Sequence, residues 1–326
     1  MPITQAFLDK VNGTSFSSAA DIDTYFTNNY QAAFISWFNA NIGSTGNWAT
    51  ISIDPNSANY YQQLWTNGNI SAIFPAGSMS VLQFLALQSI IITETGGGLA
   101  PVTELMGTAG HPGLAYAFDS IAGLKASYNQ LPGNKDCYTL FNDANYNNAF
   151  NTLALYATLN NTADAATWQG NVYPQATVSY SLDPAQTGYV QQADFFKFRG
   201  RGLIQTTGRA NYAPILQFVL NYPGNEQVVV NAKNTWTALS NDPDVVATMT
   251  ADAEWTDVFM NSEMVVPVQG IAIHNQNNGD YLGSIDGTNP NTASTTILNV
   301  GQKVNGSGAY ANTFLSRVTQ IIEEMS

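Results

Sequence analysis

The chain has 326 residues, of which 44% are hydrophobic and only 10% charged, and its net charge is -13. That is enough apolar material to build a core in one large domain or two ordinary ones, and it excludes a disordered chain. With 10 Lys and Arg against 23 Asp and Glu, binding to nucleic acid through phosphates is excluded, and an anionic cell wall would be weakly repelled.

The opening residues, Met1 to Lys10, lack a basic segment followed by an apolar one and do not read as a Sec signal peptide. Ser17-Ser18-Ala-Ala-Asp21 reads as a helix N-cap. Ile22, Tyr25, Phe26, Tyr30, Phe34, Trp37 and Phe38 follow at spacings of three and four, which predicts one amphipathic helix. Residues 43–56 are rich in Gly, Ser, Thr and Asn and read as a loop with a short strand over 48–53. A helix is expected over 59–65. Pro75-Ala-Gly-Ser78 then opens an apolar helix ending near Glu94. Its apolar run, 79–92, is shorter than the roughly 20 residues a membrane span needs, so it is expected to be a buried helix.

Residues 133–194 change character. They are rich in Asn, Tyr, Thr and Ala, with a helix expected over 146–159 and loop elsewhere. Farther on, helices are expected over 209–219, stopped by Tyr222-Pro223-Gly224, and after Asn241-Asp242-Pro243-Asp244, where Asn241 or Asp242 caps, to about Ser262. Two more are expected from Asn289-Pro290 to about Val300 and over 310–324. The chain therefore reads as mainly α, with a few short strands and no internal repeat.

Two segments carry chemistry. The apolar helix ends in Thr93-Glu94-Thr95-Gly96-Gly97. A carboxyl at the end of such a helix, under a glycine-rich turn, suits a general acid, because desolvation keeps it protonated and glycine lets a ligand come close. A helix C-terminus also disfavours an anion. The second segment is Gly200-Arg201-Gly202-Leu203-Ile204-Gln205-Thr206-Thr207, followed by Asn211-Tyr212. Its amides and hydroxyls can hydrogen-bond N-acetyl and hydroxyl groups without adding charge. The two histidines, His111 and His274, lie far apart without carboxylates at ligand spacing, which argues against a metal site or a Ser-His hydrolase. Cys137 is the single cysteine, so no internal disulfide forms.

These two segments resemble the active-site halves of the family 19 glycoside hydrolases, the chitinases and phage-type endolysins of the lysozyme superfamily. The resemblance covers roughly residues 78–128 and 195–322. Family members carry His-Glu-Thr or His-Glu-Ser before Gly-Gly, and here Thr93 stands in place of the His. The Gly-Arg-Gly run matches over residues 200–212. Asp242-Pro243 heads a helix as in the family, and Val304-Asn305-Gly306 resembles its Ile-Asn-Gly. The resemblance implies a lysozyme-like helical hydrolase fold over 76–326, with a large insertion at about 133–194. Residues 1–75 form an N-terminal region it does not cover. Plant members are disulfide-bonded, which this chain is not.

The resemblance further implies that Glu94 is the general acid, that Thr207 helps hold the attacking water, and that Gln205, Asn211, Tyr212, Arg201, Asn305 and Tyr116 serve substrate binding. The second carboxylate is Glu104, which sits ten residues after Glu94, one glycine farther than the place phage endolysins give it, or Asp119, near but not on the chitinase position after Ala115-Tyr116-Ala-Phe118. A base across an open cleft with room for a water implies the inverting outcome. The Glu and Arg that plant members place beyond Asn-Gly align with Ala309 and Ala311, so that charge network is not expected here.

The function expected is hydrolysis of a β-1,4-linked amino-sugar polymer, with bacterial peptidoglycan preferred and chitin as the alternative. A non-catalytic glycan-binding or structural protein of a phage or injection particle is the competing class. No cofactor, nucleic acid or membrane span is expected. The protein is expected to be made in the cytoplasm and to reach the wall after lysis or with a delivery partner, such as a virion, a contractile injection particle or a secretion apparatus.

Overall fold

The computed structural model describes residues 3–104, 107–108, 111–112 and 197–326, and over them the chain is mainly α-helical. The expected insertion, the helix at 146–159, Cys137, Tyr116 and Asp119 lie outside the described residues. In chain order the helices are α1 (Gln5–Val11), α2 (Ala19–Tyr30), α3 (Phe34–Asn41), α4 (Ala58–Leu64), α5 (Asn67–Ile73) and α6 (Val81–Glu94). They continue as α7 (Arg209–Leu220), α8 (Gln227–Leu239), α9 (Pro243–Met249), α10 (Asp252–Asn261), α11 (Val265–Asn277), α12 (Pro290–Asn305) and α13 (Gly308–Met325). The described strands are two residues each: β1 (Ser15–Phe16) pairs antiparallel with β2 (Met79–Ser80), and β4 (Gly107–Thr108) with β5 (His111–Pro112). The remaining two are β3 (Val102–Thr103) and β6 (Arg201–Gly202). No described helix is long and apolar enough to cross a membrane.

The chain forms two compact units. The first comprises Met1–Val102, Gly202–Ile204 and Glu263–Ser326, and the second Thr103–Arg201 and Gln205–Ser262. In the first unit α6 is the central element. Every residue from Val81 to Ile92 except Gln83 is buried, as a helix apolar on all sides requires. Its start is a capping box: Ser80 Oγ accepts from Gln83 N, and Gln83 Oε1 accepts from Ser80 N. Gln88 and Ser89 are its buried polar residues, and Gln88 Oε1 takes the buried Trp65 indole N–H at 2.7 Å. Phe84 meets Phe16, Phe34 and Trp65 edge to face, with Phe34 at 4.9 Å. Each such ring or aliphatic side chain contributes about 1.5–3 kcal/mol on burial. Helices α12 and α13 pack on each other and on α6, and α11 packs on α5. Residues 3–74 supply much of this core, so the N-terminal region is built around α6.

Several expected elements change shape. The single helix expected from Ser18 to Phe38 is two, because Gln31 turns left-handed at φ 65° and Asp23 Oδ1 reaches across to accept from Phe34 N at the start of α3. The break lets Phe34 wrap against Phe26 and Phe84. No strand forms over 48–53: Trp48 closes a 3-10 turn and is buried, and Asn39 brackets Ile53 by bonding both its N–H and its carbonyl. Helix α6 begins at Ser80, after β2. The helix expected from 242 to 262 breaks at Thr250, whose Oγ1 donates to Ala247 O and accepts from the Trp255 indole.

The second unit's helices α7 to α10 surround Phe198, Tyr212, Trp236, Trp255 and Phe259. Trp236 and Trp255 lie 4.5 Å apart, and Tyr212 is 5.0 Å from Trp255.

Candidate functional site

Glu94 is the last residue of α6, half-buried in the first unit. Thr95 ends the helix, its Oγ1 donating to Ile91 O and accepting from Leu99 N. Gly96 and Gly97 follow at φ 60° and 88°. Two residues of α13, seven apart and so two turns along one face, reach the helix end. The Tyr310 hydroxyl donates to Glu94 Oε1 at 2.5 Å, and Arg317 Nη1 donates to Thr93 Oγ1 at 3.0 Å. Burial pushes the Glu94 carboxyl above its ordinary pKa, while the Tyr310 hydrogen bond and the Arg317 charge pull it back in part. Burial is the largest cause, and Glu94 remains shifted upward. Burial, then the charge of Glu94, pushes the Tyr310 phenol far up, so Tyr310 stays a donor.

Ala309 and Ala311 carry no polar side chain, and Tyr310, between them, and Arg317 supply a polar network at the helix end. It is fastened by the N-terminal region: Arg317 Nε donates to Asn47 O, its guanidinium lies 5.1 Å from the Trp48 ring centre, and the Trp48 indole donates to Arg317 O. Thr93, one residue before Glu94, accepts from Arg317 Nη1.

The glycines after Glu94 divide their roles. Gly96 is exposed with open space at its missing side chain. At Gly97 the expected room for a sugar is taken by protein, since a Cβ there would lie 1.9 Å from Ser52 O. Gly97 O accepts from Asp54 N, and Ser57 Oγ donates to Gly98 O.

In the second unit, Glu104, Gln205 and Thr207 come together around Gly200. A Cβ at Gly200 would lie 2.7 Å from Gln205 Oε1, 3.1 Å from Glu104 Oε2 and 3.3 Å from Thr207 Oγ1. Gly200 N donates to Glu104 Oε2, and Glu104 N donates to Gly200 O at 2.8 Å. Thr207 Oγ1 donates to Gln205 O, and Asn211 Nδ2 donates to Thr207 O. A carboxylate, an amide and a hydroxyl thus share one small space, held by the tight Arg201–Thr206 bridge. Gly200 opens the glycine-arginine run named in the sequence, where it has no assigned role; here it leaves that space.

Arg201 and Tyr212 depart from the expected substrate-binding role. They are 0% and 1% exposed and offer no surface to a sugar. The Tyr212 hydroxyl donates to Arg199 O at 2.6 Å and accepts from Arg201 Nη1, while Arg199 and Arg201 both bind the Asp252 carboxylate. Their work is to hold the turn that carries Gln205 and Thr207. Replacing Asp252 by alanine leaves two buried guanidiniums without their shared carboxylate. A loss of about 3–5 kcal/mol is expected, read as a lower urea midpoint. Asn305 is exposed at the end of α12, just before the connection into α13.

The first unit also has an open cleft of about 400 Å3, lined by residues that include Leu8, Asp9, Leu82 and Asp286, at the N-terminal end of α6. Glu94 stands at the far end of that helix, roughly 20 Å away at 1.5 Å per residue, so the cleft is separate from the carboxyl site.

No protein-family model matches this chain, and no curated protein or solved structure matches it.

Proposed function

We propose that this protein is a glycoside hydrolase of the lysozyme and family 19 type, cleaving β-1,4 bonds in an N-acetyl amino-sugar polymer, with bacterial peptidoglycan as the preferred substrate. The observation that carries the proposal is Glu94: a half-buried carboxyl at the end of an apolar helix, pushed upward by burial, beside the open space at Gly96. A carboxyl of that kind keeps a proton to give to the leaving glycosidic oxygen. As that bond breaks, a water attacks the anomeric carbon from the opposite face, giving inversion, and its proton passes to the second carboxylate. The resemblance to family 19 is what proposes Glu104 for that step, Thr207 to help hold the water and Gln205 to meet the sugar. Within the second unit these three side chains converge on Gly200. A delivery particle or secretion machine that brings this acidic protein to an anionic wall belongs to the same proposal.

The test is to incubate the protein with purified peptidoglycan and with chitin oligomers, and to read released fragments by mass. New reducing ends on peptidoglycan are the expected result. Cleavage of chitin alone would replace the substrate. Binding without cleavage of either would replace the reading with a glycan-binding protein.

Gly200→Ala tests the second cluster. The added methyl meets the ends of flexible side chains and forces Gln205 and Glu104 to move, without a backbone clash. Cleavage is expected to fall about tenfold or more, since misplacement by an ångström has effects of that order. The melting temperature should stay close to that of the wild type.

A further inference from the structure

We infer that Tyr310 is a positioning residue for Glu94: by donating to Oε1 it makes that oxygen the acceptor and leaves Oε2 to carry the acid proton toward substrate. The inference rests on the proposed acid role of Glu94. The hydroxyl of Tyr310 is 2.5 Å from Oε1, and among the described residues the Glu94 carboxyl makes no other hydrogen bond. A carboxyl with one oxygen so occupied has a defined rotamer and a defined site for its proton.

The donor is itself held. Ser307 caps the start of α13, and two turns past Tyr310 the helix is locked by Arg317 to Thr93 and Asn47. Tyr281 acts weakly on Tyr310 through its charge, and the Tyr281 hydroxyl bonds His274 Nδ1 at 2.8 Å. Among the described residues, the titratable and charged groups acting on the pair are Arg317 from α13 and Tyr281 from the loop after α11, with His274 of α11 bonded to Tyr281. Burial makes His274 harder to protonate and Tyr281 harder to ionise, which leaves Arg317 as the charge acting on the pair among these groups.

The experiment follows the Glu94 carboxyl by 13C NMR across pH, with its signal identified by loss in Glu94→Gln. In Tyr310→Phe the carboxylate loses its donor, so the Glu94 midpoint is expected to move up. The alkaline limb of the cleavage profile should follow it, and kcat should drop about tenfold with KM little changed. Incorporating 3-fluorotyrosine at 310 keeps the ring and strengthens the donor, and should move the midpoint down. It also keeps the test decisive if the Phe variant folds poorly. An unchanged midpoint in both variants would overturn the inference. A shifted midpoint in a protein that cleaves no glycan would leave the inference standing and remove the hydrolase reading.

Discussion

Replacing Glu94 by glutamine is expected to lower cleavage by about 10²–10⁴-fold, the usual contribution of a general acid, while leaving the fold intact. Glutamine has nearly the same shape and its Oε1 still accepts from Tyr310, but it has no proton to give. The same variant makes a stability prediction. Because burial raises Glu94 in the folded state, the folded protein holds more protons than the unfolded chain between the ordinary and the raised value. The stabilisation from that proton is present in full below the ordinary carboxylate pKa. It is lost as pH rises through the folded one. Wild type should therefore lose stability across this window relative to Glu94→Gln, and the gap should level off above it. Paired urea titrations from about pH 4 to about pH 8 read this directly. A Gln variant that still cleaves at the wild-type rate would remove Glu94 from the acid role. A gap that does not change with pH would mean that the carboxyl is not desolvated as described.

Gly97→Ala is expected to be the most damaging single methyl addition near the site. At φ 88° an L residue is strained, at a cost of about 1–2 kcal/mol. The new Cβ would also stand 1.9 Å from the Ser52 carbonyl oxygen, and backbone cannot swing aside as a side-chain end can. Overpacking adds about 1–3 kcal/mol, so a total near 3 kcal/mol is expected. Its neighbour is the control. Gly96 has φ 60° and nothing within 4 Å, so Gly96→Ala should cost only about 1 kcal/mol. The two variants, compared by urea denaturation, should differ by about 2 kcal/mol. Equal losses would mean that the segment around Ser52 does not press on the turn below Glu94.

Much of the helical frame was legible in the residues. Ser18, Asp242 and Asn289 cap helices where their types predict, and the apolar run after Ser80 is the buried α6. Helices α1, α5, α8 and α11 were not foreseen. Helix α8 contains Val228-Val229-Val230, residues that favour strands, and α11 contains Pro267 and Gly270. Pro267 is tolerated because it falls in the first turn, where its missing N–H has no helical partner to lose. The break at Gln31 has no local signal. It depends on Asp23 reaching Phe34 across the turn, and on rings of α2 and α3 closing around Phe84.

By itself the sequence determined the mainly helical class and a carboxyl at the end of an apolar helix. It also determined a glycine-arginine turn carrying amides and hydroxyls, because caps, periodicity and glycine act over a few neighbouring residues. Only the tertiary structure decided what surrounds that carboxyl. Tyr310 and Arg317 meet α6 from more than 200 positions away in the chain, and Ser52 presses on Gly97 from a loop without regular structure. It also decided that Arg201 and Tyr212 support the turn from inside, where burial and the Asp252 carboxylate claim their polar groups. Burial and hydrogen bonding between distant segments are properties of the packed chain, and they govern both the proton on Glu94 and the shape of the space around Gly200.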